Sequence, residues 1–580
     1  ANATGTITNS EVNISSGSVG GAIYGGKNEG AESATGGTLS ISGGNVGGTI
    51  YGNHTNAGDA TGATLNITGG TMSDVYGGFA NGTGKTTGNI VNLGTTSDAV
   101  AGTTNIFGTI YGGNQTNNVT GNTLNVYDSV SAGNIANFDQ VNFKTTSSHI
   151  AAGDTLLTLN GGNATTLDWN KLHVDDLDNT TASATEDRIL TLMENANNIN
   201  FGTSYSTTGT RGRIHTDDYE ADMTTDGNSA TTTKVYLKGY RFQNNDTSYS
   251  GTTATDAWGG RSIIGNKVQK NKLTLTGGSA TLNARGGMVE NTTVPGTAGD
   301  AEQNKLILNT GAAAANAYGA EVKTKAGSAA ENTAEITDGT TANLYGASLT
   351  AAGATGSATK SKANISGGSV TGNVYGGHIA DSAATGSVTG SEVNISGGTV
   401  GGTIYAGYNA GAGDAKSGTV TITGGTMGDV YGGYTSGTGA TTGNTVNLGD
   451  GSHALASGTT INGVLYGGNQ ADVTDNTLNV KTNATAGNIA HFDKVKFHLN
   501  STINPANSLL TLNNGAQTTD LNWNKLEVDT SSLTGAGIKT YEPYKLNLID
   551  NAVGIGTAGY TGAKDHSTDK FEYVIDTDSH

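Results

Sequence analysis

Aliphatic and polar residues alternate in short bursts along this chain, and a glycine pair follows most of the bursts. The recurring unit reads Φ-x-Φ-[ST]-G-G-x-Φ-x-x-x-Φ-Tyr-Gly-Gly, where Φ is aliphatic. It runs from Val12-Asn13-Ile14 to Ile23-Tyr24-Gly25-Gly26, from Leu39-Ser40-Ile41 to Ile50-Tyr51-Gly52, and from Leu65-Asn66-Ile67 to Val75-Tyr76-Gly77-Gly78. A degenerate copy ends at Ile110-Tyr111-Gly112-Gly113. A second array has anchors at Leu275, Leu308, Ile336, Ile365, Ile395 and Ile422, spaced by 27 to 33 residues.

Alternation with a period of two gives each Φ-x-Φ segment one apolar face, which predicts a strand. The Ser/Thr-Gly-Gly after it supplies backbone able to take positive φ and turn sharply. A second short strand ends at the aliphatic-Tyr pair, and another glycine pair turns the chain again. The remaining Gly/Asn/Thr/Ala stretch varies in length and reads as a loop that closes the circuit. One unit cannot bury its aliphatic residues alone, but units stacked in register bury them in a continuous column. The expected fold is all-β, a parallel β-helix (solenoid).

A larger duplication supports this. Glu11-Val12-Asn13-Ile14-Ser15 returns as Glu392-Val393-Asn394-Ile395-Ser396, an offset of 381, whereas Gly69-Gly70-Thr71-Met72 returns as Gly424-Gly425-Thr426-Met427, an offset of 355. The difference of 26 residues is one unit, because the first copy carries an extra unit around Ile41 and Tyr51. Whole units can be gained or lost when each is one coil. The match continues through Leu167-Asp168-Trp169-Asn170-Lys171-Leu172 and Leu521-Asn522-Trp523-Asn524-Lys525-Leu526. The organisation reads as coils and a cassette end over 1–175, an irregular β-rich segment over 176–262, coils and the duplicated cassette end over 263–529, and the start of a second irregular segment over 530–580. The whole reads as an excerpt from a longer array of cassettes. Segment 176–262 holds Arg188, Arg211, Arg213, Arg241, Arg261 and Trp258, and the alternation Lys234-Val235-Tyr236-Leu237-Lys238 predicts a strand within it.

Composition narrows the function classes. Of 580 residues, 92 are glycine and 3 proline, too little proline for collagen. The aliphatic clusters between the glycines argue against disorder. A net charge of −19, from 29 basic and 48 acidic side chains, speaks against nucleic acid or anionic lipid as a partner. Cysteine is absent, so disulfide and thiol chemistry are too. No apolar run approaches the length of a membrane-spanning helix.

The candidate contact residues are aromatic. One tyrosine per unit (Tyr24, Tyr51, Tyr76 and Tyr111, then Tyr318, Tyr345, Tyr375, Tyr405, Tyr431 and Tyr466) follows an inward aliphatic residue and so points outward. Arg285 takes the equivalent place in one unit. Such a column could bind sugar rings or stack on itself at a corner. Tyr51, Tyr76, Tyr375, Tyr405 and Tyr431 are taken as its ligand-binding candidates. Just past the glycine pairs, Lys27, His54, Phe79, Asn114, His378, Tyr408, Tyr434 and Asn469 vary as ligand-reading positions or as a solvated loop, with the loop preferred. Tyr236, Tyr240, Arg241 and Trp258 form a second candidate surface, because Tyr, Trp and Arg dominate binding hot spots; capping the core is their other reading. Asp74 and Asp429 recur at one coil position and read as solvated carboxylates. Neither a metal site nor a cofactor site is expected, and no catalytic residues are assigned. The acidic group Asp217, Asp218 and Glu220 with Arg213 reads as an exposed charged face.

The cysteine-free Gly/Asn/Thr-rich coils resemble the right-handed parallel β-helix passenger domains of bacterial autotransporters, the type V secretion family, and large adhesins in particular. Phe138-Asp139-Gln140-Val141-Asn142-Phe143 and the run Gly153-Asp154-Thr155-Leu156-Leu157-Thr158-Leu159, repeated from Phe492 to Leu512, are similar to a segment of giant autotransporter repeats. The resemblance implies export, display on the outer membrane through a translocator barrel outside these residues, and adhesion by an elongated rod. Its implied partners are host or bacterial surface glycans or proteins, with self-association as a further option. The alternatives are a purely structural stalk or spacer and a polysaccharide-degrading β-helix enzyme; a non-enzymatic role is preferred.

Overall fold

The computed structural model describes residues 5–576 apart from 115–119, 146, 152, 162–166, 176–187, 197–209, 216–218, 226–233, 254, 264, 292–297, 470–473, 514–517, 533–545, 557–563 and 568–571. It comprises two compact units, Ala1–Tyr240 and Arg241–His580. In the first, the Φ-x-Φ strand of each coil pairs parallel with that of the next, from Glu11–Ile14 through Thr38–Val46, Thr64–Met72, Ile90–Leu93, Thr123–Val126 and Gln140–Phe143 to Leu172–Val174. In the second, the same strand builds an 11-stranded sheet from Asp246–Tyr249 to Leu526–Asp529. The chain is thus a parallel β-solenoid in both units. The extra coil is present. Thr38–Val46 and Thr64–Met72 lie between Glu11–Ile14 and Ile90–Leu93, but Thr419–Ile422 alone lies between Glu392–Ile395 and Thr445–Leu448.

Register is kept residue for residue, so like side chains stack. Leu39, Leu65, Val91, Leu124 and Val141 form one buried column, and Ile41, Ile67, Leu93, Val126 and Phe143 another. The residue between them faces out, where Asn66, Asn92, Asn125 and Asn142 pass side-chain hydrogen bonds of 2.7–2.9 Å from coil to coil.

The circuit differs from the sequence reading in two respects. The stretch read as a closing loop contains a third, two-residue strand, as in Ala34–Thr35 and Ala60–Thr61, or Ala301–Glu302, Ala329–Ala330 and Ala358–Thr359. Its first residue is buried and its second faces out, a segment too short to register as an alternation. Coils of the second unit also begin before residue 263. Asp246–Tyr249 pairs with Lys272–Leu275, and Ala257–Ser262 pairs with Ser279–Val289. Trp258-Gly259-Gly260 is the Tyr-Gly-Gly of that coil with tryptophan as its ring. The first unit ends its coils differently. Arg188–Glu194 pairs parallel with Thr155–Leu159 and antiparallel with Lys234–Arg241, which adds Leu190, Leu192, Val235 and Leu237 to the core.

Two corners set the coil shape. Before most Φ-x-Φ strands stands a left-handed residue: Gly36, Gly62, Gly88 and Gly121 in the first unit, and in the second Gly390 and Gly443 but also Lys270, Gln303, Glu331 and Lys360 at φ of 50–56°. That conformation costs about 1–2 kcal/mol for a residue with a Cβ. A buried asparagine beside it completes the corner: Asn271 Nδ2 donates to Asn304 Oδ1 at 2.9 Å and Asn304 Nδ2 to Asn332 Oδ1 at 3.0 Å. The second corner is a glycine column, Gly299, Gly327, Gly356, Gly386, Gly413 and Gly439, one per coil. A Cβ on any member after the first would strike the carbonyl oxygen of the member before it.

This column predicts a sharp contrast between two alanine substitutions. Gly386→Ala destabilises its coil by about 1–3 kcal/mol through overpacking, whereas Gly102→Ala, whose added Cβ meets nothing within 4 Å, leaves stability unchanged. Amide hydrogen exchange of the coil, read with the urea midpoint, checks it; equal behaviour of the two variants refutes the stacking argument.

Candidate functional site

Inward aliphatic residues at Ile50, Val75, Ile404 and Val430 place the tyrosine after each on the outer side, and parallel register then stacks the rings. In the first unit Tyr24, Tyr51, Tyr76 and Tyr111 form a column with centroids 4.3–5.5 Å apart and planes within 19°. In the second, Tyr318, Tyr345, Tyr375, Tyr405, Tyr431 and Tyr466 do so with centroids 4.2–5.3 Å apart and planes within 17°. The rings are half-buried or buried. Within a column each face lies against the next ring, so the column offers edges and hydroxyls to solvent. Burial, followed by the neighbouring phenols, raises the pKa of Tyr76, Tyr345 and Tyr431. Burial likewise pushes Tyr405 up to about 12.

The variable positions past the glycine pairs are not a solvated loop. Lys27, His54, Phe79, His378, Tyr408 and Tyr434 belong to the same strand, paired as Lys27↔His54, His54↔Phe79, His378↔Tyr408 and Tyr408↔Tyr434. The Gly-Gly bends the strand so that residues three apart meet edge to face. Phe79 meets Tyr76 at 5.1 Å and 90°, and Tyr434 meets Tyr431 at 5.3 Å and 90°. The result is a second column, with His54 on Phe79 and Tyr408 on Tyr434. It ends at Asn114 and Asn469, whose side-chain amides stand in for a peptide group. Each accepts from the backbone N–H and donates to the carbonyl of Ala80 or Thr435. Ser348 and His378 Nδ1 are hydrogen-bonded at 2.9 Å within this column. Ser348 is 1% exposed, which closes it to substrate.

Trp258 heads the first column of the second unit. It is 9% exposed, its indole N–H donates to Met288 Sδ at 3.2 Å, and the Arg261 guanidinium lies 4.6 Å from its ring centre. Arg285 follows it in register, Trp258↔Arg285↔Tyr318, at 2% exposure. Its guanidinium pairs with Asp256 at 2.8 Å and with Glu321 at 2.5 Å. Desolvation opposes the charge, but the two carboxylates outweigh it and raise the Arg285 pKa. Glu321 lies three residues after Tyr318, at the second-column position, and Thr350 Oγ1 donates to it at 3.2 Å. The sequence marked Arg285 as an exception in the tyrosine column; finding Glu321 required counting the same three residues on.

Tyr236 is half-buried on the strand Lys234–Arg241 of the first unit. Tyr240 lies on that strand, its side chain outside the described residues. Arg241 opens the second unit, where its Nε donates to the Gln243 carbonyl at 3.0 Å. The acidic group read as an exposed face falls outside the described residues at Asp217 and Asp218, and the side chains of Glu220 and Arg213 do too. Asp74 and Asp429 are half-buried rather than solvated: each carboxylate accepts a backbone N–H from the next coil, Thr109 or Val464, at 2.8 Å. Among the described residues no group of three or more His, Asp or Glu could hold a metal ion. No family model, curated protein or solved structure matches the chain.

Two predictions follow from the columns. The folded state holds phenols such as Tyr405 above their unfolded value of about 10. Their stabilising contribution is therefore complete below that pH and is lost as pH rises through about 12. Near-ultraviolet absorbance should show tyrosine ionising together with loss of β-structure followed by far-ultraviolet circular dichroism, and early, independent ionisation would contradict the ladder. For the buried ion group, Arg285→Met should destabilise by about 3–5 kcal/mol because Asp256 loses its cation and buried Glu321 keeps only Lys323, at 3.8 Å. The double change Arg285→Tyr with Glu321→Ser, which restores a ring and a neutral partner, should cost much less in urea unfolding.

Proposed function

We propose that this chain is part of the passenger of a bacterial cell-surface adhesin. Carried through the outer membrane by a translocator barrel, it binds glycans or proteins on host or bacterial surfaces. The observation that carries this reading is the residue-for-residue register of the coils. Outward side chains form straight columns, and a change of residue within a column alters the surface without altering the backbone, as Lys27, His54 and Phe79 illustrate. Such a scaffold suits recognition of extended surfaces, and its acidic balance disfavours adsorption to anionic lipid. Coils that contact only their neighbours also suit secretion as an unfolded chain followed by stepwise folding.

A purely structural spacer is the second reading, favoured by the tyrosine columns whose ring faces cover one another. Saturable binding of the purified chain to host cells, bacterial cells or immobilised surface glycans is the expected result. Absence of binding to all three rejects adhesion by this chain in favour of the spacer.

A further inference from the structure

The turn leading into the aromatic strand is built almost everywhere from small residues. Gly20, Gly47 and Ser73 occupy its first position in successive coils of the first unit, and Gly133 occupies it further on. The coil between Ser73 and Gly133 places Phe107 there. Pairing of Asn105↔Thr71 and Ile106↔Met72 on one side, and of Ile106↔Ala132 on the other, sets its ring between these small neighbours. The pairing shifts between Ile106 and Thr109, so Phe107 stands on an irregularity of the strand. At 66% exposure it is the most exposed large apolar side chain among the described residues. It joins neither aromatic column, and folding does not call for it: glycine or serine serves the neighbouring coils and asparagine, Asn462, serves the duplicate.

Around it the outward side chains are polar, and the one carboxylate beside the turn, Asp74, is engaged by the Thr109 backbone N–H at 2.8 Å. In the second unit the duplicated turn borders an open groove of 470 Å³ lined by Thr459, Thr460, Asn462, Thr485 and Asn513. This lies within the size range of small-molecule sites, about 300–1,000 Å³. The matching positions of the first unit are Thr104, Asn105, Phe107, Ser131 and Asn160. Asn105 and Ser131 are half-exposed and Asn160 is exposed. At the position where the second unit has Asn462 beside its groove, the first unit therefore carries an uncovered aromatic ring.

We propose that Phe107 and its polar neighbours form a binding site for a neutral pyranose unit of a surface oligosaccharide. The C–H face of the sugar stacks on the phenyl ring, while its hydroxyls exchange hydrogen bonds with Asn105, Ser131 and Asn160. The named contact residues carry no cation to pair with an acidic sugar, and the Asp74 carboxylate beside the turn repels one, which selects neutral sugars over uronic or sialic acids. The tyrosine columns cannot serve this role, because their ring faces are occupied. The inference rests on the adhesion reading and supplies its ligand class.

The test compares the wild-type chain with Phe107→Ala and Phe107→Trp on an array of neutral and acidic oligosaccharides, with cell binding measured in parallel. The wild type is expected to bind neutral glycans, and Phe107→Ala to weaken them by about tenfold, the scale of losing one ring-stacking contact. Phe107→Trp should retain binding, and its fluorescence should shift on adding the bound sugar, since Trp169, Trp258 and Trp523 are buried. Asn462→Phe should add a second site. Neutral-glycan binding unchanged in Phe107→Ala, binding to acidic glycans alone, or no glycan binding at all overturns the site. Cell binding that survives Phe107→Ala leaves adhesion standing without this site, whereas a wild type that binds no cells removes the adhesion reading itself.

Discussion

Close approach of successive backbones at the coil corners is the constraint on which the rest of the structure depends. Parallel strands of neighbouring coils lie about 4.8 Å apart. At the corners the direction a Cβ would take runs along the stacking axis into the carbonyl of the adjacent coil. Gly327, Gly356, Gly386 and Gly413 each face the glycine of the coil before, and the first glycine after each column ring repeats the arrangement, as with Gly286 against Gly319 and Gly319 against Gly346. These contacts account for much of the glycine content, which marks places where a side chain has no volume to occupy. Once the corners close, every strand must pair in register. Everything else in the coils inherits that alignment.

Columns are the consequence. Register turns one residue per coil into a continuous feature, so a type that suits the position reinforces itself from coil to coil. Aromatic rings stack, outward asparagines exchange amide hydrogen bonds, and buried asparagines tie left-handed corners together. The same register makes exceptions expensive unless they are matched. Arg285 interrupts the tyrosine column, and the compensating carboxylates come from the coils on either side, Asp256 and Glu321. At the end of the second column, Asn114 and Asn469 supply a side-chain amide that pairs with the backbone of Ala80 and Thr435 as a peptide group would.

The duplication shows which positions the fold constrains and which it leaves open. Corner glycines, inward aliphatic residues and the terminal asparagines recur in both units. Outward positions diverge, as Phe107 and Asn462 do. A surface that changes while its backbone does not is the property the proposed adhesive role would use, and the recurring motifs speak to architecture alone.

Much of this was legible in the residues themselves. The period-two aliphatic pairs located the strands, the change of offset between the duplicated segments revealed a removable coil, and the residue after the inward aliphatic located the tyrosine column. These signals are local, arising from one strand face repeated many times. The two-residue alanine strands were not legible, because two residues carry no period. The second aromatic column is hidden in the sequence, because the bend at Gly-Gly brings residues three apart onto one face and so breaks strict alternation. The coil of Trp258 is hidden likewise, because tryptophan replaces the expected tyrosine. The partners of Arg285 and the exposure of Phe107 depend on residues one coil away, more than twenty positions off in sequence. Local patterning therefore determined that the chain coils. Which side chains meet, and which ring is left uncovered, was decided only when the coils closed and register placed distant residues side by side.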